Sequence, residues 1–182
     1  MKRLVLASAS PRRRELLGRL GLEFEVRPAA VDETPRLGED PEALALRLAR
    51  AKALASAAGR SGERVLGADT VVARDASILG KPANATEAEQ MLETLSGGEH
   101  RVVTGLALAA DGAVAEACVV SRVWFRSLLP EEIARYAADG EPLDAAGGYA
   151  IQGGAAGFIS RVVGSYTNVV GLPLSEVVRL LG

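Results

Sequence analysis

A single cysteine, Cys118, leaves no partner for an internal disulfide and rules out every zinc cage built on cysteine pairs. A single histidine, His100, likewise excludes paired-histidine metal motifs such as H-E-x-x-H. Lysine is scarce, with Lys2, Lys52 and Lys81 the only three among 21 basic residues. No run reaches the roughly 18 apolar residues that cross a bilayer, and Met1-Lys2-Arg3-Leu4 leads into a strand-like segment instead of a signal peptide. A cytoplasmic protein without membrane partners is expected. Aromatic residues make up 4% of the chain, too few for a base-stacking platform, and a net charge of -2 offers nucleic acid or anionic lipid no basic surface. What remains is chemistry by carboxylates, lysines, hydroxyls or an oxygen-ligated metal. With 182 residues and 48% hydrophobic content, the chain suits one domain, residues 1–182, and one active site.

Strands and helices alternate early, then strands dominate, then helix returns, which predicts an α/β domain with a mixed β-sheet flanked by helices. Arg3-Leu4-Val5-Leu6-Ala7 reads as a strand. Ser10 as N-cap and Pro11 at the first helical position then open a helix whose Leu16, Leu17 and Leu20 share a face up to Gly21. Leu22, Phe24 and Val26 alternate with charged residues, the pattern of a half-buried strand. Asp40-Pro41 starts a second helix ending near Gly59, with Leu44, Leu48, Ala51 and Ala55 on one face and Lys52 at its edge. Val65 to Val72 is nearly all apolar and β-branched, a buried central strand.

Thr86 and Glu89 form a capping-box pattern for a third helix with Ala88, Met91, Leu92 and Leu95 inward and Gly97 at its end. Asp111-Gly112 predicts a hairpin between two long strands from Arg101 to Arg126, and Pro130-Glu131-Glu132 a helix through Tyr136. Leu174, Val177, Val178 and Leu181 form the stripe of a last helix. Between these helices, Glu141 to Gly171 carries Asp144, Gln152 and many glycines, a composition suited to backbone approaching a ligand. Cys118 among valines reads as core, His100 as a turn or strand-edge residue, and Trp124 with Phe125 as one boundary and one core residue.

Two features carry chemistry. Arg12, Arg13 and Arg14 fall in the first turn of a helix, where the macrodipole is positive and disfavours cations. A polyphosphate held by the helix N-terminus, Ser8 and forked guanidinium groups would offset this; solvated arginines paired with acids such as Glu15 are the alternative. Asp69 is a carboxylate inside an apolar strand, costly to desolvate unless it is paired or binds a metal. It reads as a metal ligand or general base, with a structural ion pair as the alternative. Lys52, and Lys81 in the Gly80-Lys81-Pro82 turn, offer compact ammonium groups for a phosphate or carboxylate. Pro82 stands where a Walker A loop needs Ser or Thr, and Gly153-Gly154-Ala155-Ala156-Gly157 lacks dinucleotide-fingerprint spacing.

Six ordered segments resemble the Maf (septum-formation-inhibitor) family along essentially the whole chain. They are Ser8-Ala9-Ser10-Pro11-Arg12-Arg13, Val31-Asp32-Glu33, Leu48 to Ala53, Gly67-Ala68-Asp69-Thr70, Gly80-Lys81-Pro82 and Leu143 to Gly153. The resemblance implies a fold similar to that of inosine-triphosphate pyrophosphatases, two lobes around a cleft, and homodimers as a frequent assembly. It implies hydrolysis of a nucleoside triphosphate to monophosphate and pyrophosphate, with Mg²⁺ or Mn²⁺ as cofactor. Asp69 would be the proton acceptor, with Ser8, Arg13, Glu33, Lys52 and Lys81 around phosphate and metal, and Arg12, Thr70 and Gln152 at selectivity positions. Asp69 and Glu33, together or singly, would hold the metal, and Asp69 would act as base or orient a metal-bound water.

The resemblance is strongest to the branch acting on dTTP and UTP, with Asp-Thr and Gln, whereas a sister branch acting on 7-methyl-GTP has Asp-Gln and Glu. The Gln152 amide offers one acceptor and one donor for N3-H and O4 of uracil or thymine, and flipped it could read cytosine. A nucleotide sensor that regulates septum formation without hydrolysis, and a house-cleaning hydrolase of modified nucleotides, are the competing classes.

Overall fold

The local signals at the start of the chain produce the elements they specify. In the computed structural model, which describes residues 2–182, strand β1 spans Arg3–Leu6 and helix α1 Pro11–Gly18. The Ser10 side chain caps α1 by accepting from Arg13 N, with proline in the first turn. Leu16 and Leu17 are buried, and α1 stops three residues before Gly21. After β2 (Phe24–Val26), Asp40 caps α2 (Pro41–Ala57) in the same way, accepting from Ala43 N. Then follow β3 (Glu63–Arg74), β4 (Ser77–Leu79), α3 (Ala85–Leu95), β5 (Glu99–Ala110) and β6 (Ala113–Phe125). The chain closes with α4 (Pro130–Ala138), three short 3-10 turns, β7 (Ile159–Val163), α5 (Tyr166–Val170) and α6 (Leu174–Leu181).

The seven strands form one mixed sheet in the order β2-β1-β3-β5-β6-β7, with β4 on β3. Parallel pairs join β1 to β2 and to β3, while β4 and β7 pair antiparallel with β3 and β6. The expected α/β class with a mixed sheet is therefore present. Asp111 (φ 52°) and Gly112 (φ 79°) join β5 to β6, and positive φ at both positions is what the tightest hairpin turns require.

The chain divides into two compact units, one containing the chain up to Thr70, Thr104–Val119 and Gly171–Gly182, the other Val71–Val103 and Val120–Val170. In the first, α2 packs closely against glycines of the sheet. A Cβ built on Gly67 would lie 2.2 Å from Ala49 O, and one on Gly105 2.3 Å from Ala45 O. A methyl group at either place would force the helix away, an overpacking cost of about 1–3 kcal/mol. This contact rotates α2 from its expected setting. Its buried stripe is Leu44, Ala45, Leu48, Ala49, Lys52, Ala53 and Ser56, whereas Ala51 is half-buried and Ala55 exposed. Lys52 lies on the stripe and not at its edge.

The second unit has an aromatic core in which Phe125 meets Tyr149 edge to face at 4.9 Å and Tyr136 meets Phe158 at 5.2 Å. Five further expectations are corrected. His100 is not a turn or strand-edge residue: it is 1% exposed, and its Nε2 lies 2.7 Å from Tyr149 Oη. Cys118 is exposed, on the outward part of β6. The cap of α3 is Asn84, which accepts from Glu87 N while the Glu87 carboxylate accepts from Ala83 N. Asn is at least as good a cap as Thr, so the helix is capped two residues before the Thr86 and Glu89 pattern. On the edge strand β2 the alternation buries no face: Val26 is exposed, Phe24 half-buried, and Leu22 lies outside the strand, exposed. There Arg27 instead bonds Glu25 and Glu63. In α6 the stripe narrows to Val177, with Val178 exposed. Trp124 is half-buried and Phe125 buried, as expected.

Candidate active site

Six of the expected site residues come together in the first unit. They are placed by the turn from β1 into α1, by α2, by the loop carrying Glu33 and by the middle of β3. Ser8 is 6% exposed and accepts from Ser10 N, which shapes the turn. Arg13 in the first turn of α1 is then held by three hydrogen bonds. Its Nε donates to Gly171 O at 2.8 Å, Nη1 to Ser8 Oγ at 3.2 Å and Nη2 to Thr70 Oγ1 at 2.9 Å. Each of these three acceptors is uncharged, so they fix the position of the guanidinium without neutralising its charge. Of its five N–H groups, one on each terminal nitrogen is left for a further acceptor. Burial lowers its pKa, opposed by the fields of Asp69 and Glu33 and reinforced by Arg12. Arg12 and Arg13 are half-buried and Arg14 is exposed.

Gly67 and Asp69, two residues apart on β3, share the face covered by α2, and Thr70 leaves the strand on the other side. On the α2 side Lys52 Nζ lies 2.6 Å from Asp69 Oδ1 and 2.6 Å from Glu33 Oε1. The Lys52 and Asp69 side chains are 11% and 10% exposed, while Glu33 is 60% exposed, so a buried ion pair opens to solvent through a second carboxylate. Asp69 thus has the partner that a carboxylate in an apolar strand needs. On the other side Thr70 Oγ1, besides accepting from Arg13, lies 2.9 Å from the fully buried Thr104 Oγ1 and 3.4 Å from Gly171 O. Thr104 and Gly171 did not stand out in the sequence. Thr104 carried a readable signal, a hydroxyl within an apolar strand, as Asp69 did; Gly171 carried none, being 158 residues from Arg13.

Lys81 and Gln152 belong to the second unit. Lys81 is exposed, with Nζ 2.7 Å from Asp144 Oδ1, and Gln152 is exposed on a turn. Among the described residues no group of three or more His, Cys, Asp or Glu could hold a metal by itself. Asp69 and Glu33 supply two hard carboxylates around Lys52, so a divalent ion bound there would take its remaining ligands from phosphate oxygens and water. A cavity of about 390 Å³ lined by Lys2, Arg64, Ala110, Asp111 and Leu181 shares no residue with this cluster.

A mixed-sheet α/β protein with a pinned arginine at a helix N-terminus, and a lysine shared by two carboxylates, has the chemistry to receive a phosphorylated ligand. The Maf-like protein family matches residues 3–182, and the chain belongs to the Maf family. It is 53% identical over 180 residues to a dTTP/UTP pyrophosphatase of Geobacter metallireducens, covering 97% of this chain and 93% of that one. A dTTP/UTP pyrophosphatase of Myxococcus xanthus is 55% identical over 179 residues, covering 98% and 90%. One from Pelotomaculum thermopropionicum is 50% identical, covering 100% and 96%. Among solved structures, a HAM1 protein from Coxiella burnetii has a TM-score of 0.46 and 21% identity, covering 69% of this chain and 73% of that one.

Proposed function

We propose that the chain is one catalytic domain that hydrolyses dTTP and UTP, and CTP through a flipped amide, to the monophosphate and pyrophosphate. The observation that carries this is Arg13, held by three neutral acceptors with its charge directed to a ligand, beside the Lys52 pair with Asp69 and Glu33. The names of the relatives support the choice of nucleotide.

In this reading Ser8 and Arg13, at the N-terminus of α1, bind the triphosphate. Asp69, held at Oδ1 by Lys52, accepts the proton of a water whose oxygen attacks the α-phosphorus. The bond from that phosphorus to the bridging oxygen breaks, and pyrophosphate leaves with its charge met by Arg13 and Lys52. Lys81, on an exposed ion pair that is cheap to exchange, adds a phosphate contact. Asp69 and Glu33 would hold Mg²⁺ or Mn²⁺, which when bound neutralises phosphate oxygens. Gln152 reads the pyrimidine edge, with Thr70 and Arg12 tuning selectivity. A cytoplasmic homodimer working in nucleotide-pool cleaning belongs to the same reading; among the described residues no helix is long and apolar enough to cross a membrane. Ion chromatography after incubation with dTTP, UTP, CTP and 7-methyl-GTP tests it. Monophosphate and pyrophosphate from the pyrimidines are expected, and orthophosphate or no product would refute it.

A further inference from the structure

Gln152 sits on a turn whose backbone is tied down on both sides. Gly153 N donates to Ala150 O at 3.0 Å, closing a four-residue turn with Gln152 third. Ile151, the second residue, is 7% exposed and packs into the core of its unit, while Gln152 faces solvent. On one shoulder Ala150 N donates to Tyr136 Oη at 3.1 Å. On the other, Gly154 N donates to Glu141 Oε1 at 3.1 Å, and Tyr136 Oη donates to the same oxygen at 2.5 Å. One phenol hydroxyl therefore joins both shoulders, accepting from the first and donating to the acid that holds the second. Tyr136 is itself 5% exposed and packed edge to face on Phe158. A Cβ on Gly153 would lie 2.1 Å from Glu141 Oε2, so any larger residue there would displace this carboxylate.

An amide tells one base from another only if its donor and acceptor are held within about 0.5 Å of the base edge, which a mobile turn cannot do. We propose that Tyr136 and Glu141 are positioning residues that lock the Gln152 turn and thereby set base discrimination. This rests on the reading that the Gln152 amide meets the base. The clamp acts through Gln152 and not on the phosphates.

The test measures kcat and KM for UTP and for ribose triphosphate, which carries the triphosphate without a base. Tyr136→Phe and Glu141→Leu are made in the wild-type and Gln152→Ala backgrounds, as double-mutant cycles. Each single variant should lower kcat/KM for UTP about tenfold, the worth of one lost buried hydrogen bond, mainly through KM. Ribose triphosphate should be unaffected, and neither variant should have a further effect once Gln152 is alanine. Equal losses on both substrates, or a full additional loss in the Gln152→Ala background, would show a purely structural role and overturn the proposal. If Gln152→Ala keeps the wild-type ratio of UTP to ribose triphosphate, the base-reading role fails, and the proposal with it. Should Tyr136→Phe not fold, Glu141→Leu, which removes both acceptor oxygens at similar size, decides the matter.

Discussion

Asp69→Asn separates the chemical role of the carboxylate from its structural one. The substitution keeps volume and keeps an oxygen able to accept from Lys52, while removing charge and basicity. Breaking a buried ion pair typically costs about 3–5 kcal/mol when the remaining charge is left without a partner. Here Lys52 retains Glu33 Oε1 at 2.6 Å, and this carboxylate is 60% exposed, so the ammonium stays both paired and hydrated. The loss should therefore be about 1–3 kcal/mol, a fall in Tm of roughly 2–12 °C for a chain of this size. Turnover should fall far more, by about 10²–10⁴-fold, if Asp69 accepts the proton of the attacking water. Pyrophosphate release from UTP at saturating substrate and 25 °C, with a thermal melt of the same preparation, reads both quantities. A folded variant that kept more than about a tenth of wild-type kcat would refute the mechanism and return Asp69 to the role of a structural ion-pair partner.

Arg13→Lys should raise KM for UTP and lower kcat/KM about tenfold or more, because one ammonium cannot supply three planar donors to Gly171 O, Ser8 and Thr70; unchanged steady-state kinetics would contradict this. Thr104→Val removes the hydroxyl behind Thr70 at constant shape and should lower kcat/KM about three- to tenfold, with Thr104→Ser restoring it; a valine enzyme with wild-type kinetics would remove Thr104 from the network. Gln152→Glu should cut dTTP and UTP hydrolysis roughly ten- to hundredfold and 7-methyl-GTP hydrolysis less, so equal losses across bases in a kcat/KM comparison would rule out base reading. Burial lowers the His100 pKa from 6.5 to about 4. The unfolded chain therefore binds the extra proton first: this contribution to stability is complete above about pH 6.5 and is lost as pH falls toward 4, up to about 3 kcal/mol. The pH dependence of unfolding between these values should be shallower in His100→Gln than in wild type, and identical slopes would show that the ring binds its proton equally in both states.

The amino-acid order alone determined those features whose causes lie within a few residues. Ser10-Pro11 and Asp40-Pro41 start helices because an oxygen acceptor and a preset φ act locally, and Asp111-Gly112 turns the chain because both residues tolerate positive φ. Asp69 was conspicuous because a carboxylate in an apolar strand needs a partner wherever the strand ends up. Which partner it has was decided by tertiary structure. Glycines at 67 and 105 let α2 approach closely enough to turn Lys52 inward, and side-chain periodicity does not register backbone contact. Only the arrangement of strands brought Gly171 O to Arg13, Thr104 to Thr70 and Tyr149 to His100. The same holds for Tyr136, which reaches Ala150 and Glu141 across a glycine-rich stretch whose composition indicated closeness to a ligand but not what would hold it. Each of these pairings depends on which distant segments become neighbours, a property of the packed whole that no local window of sequence contains.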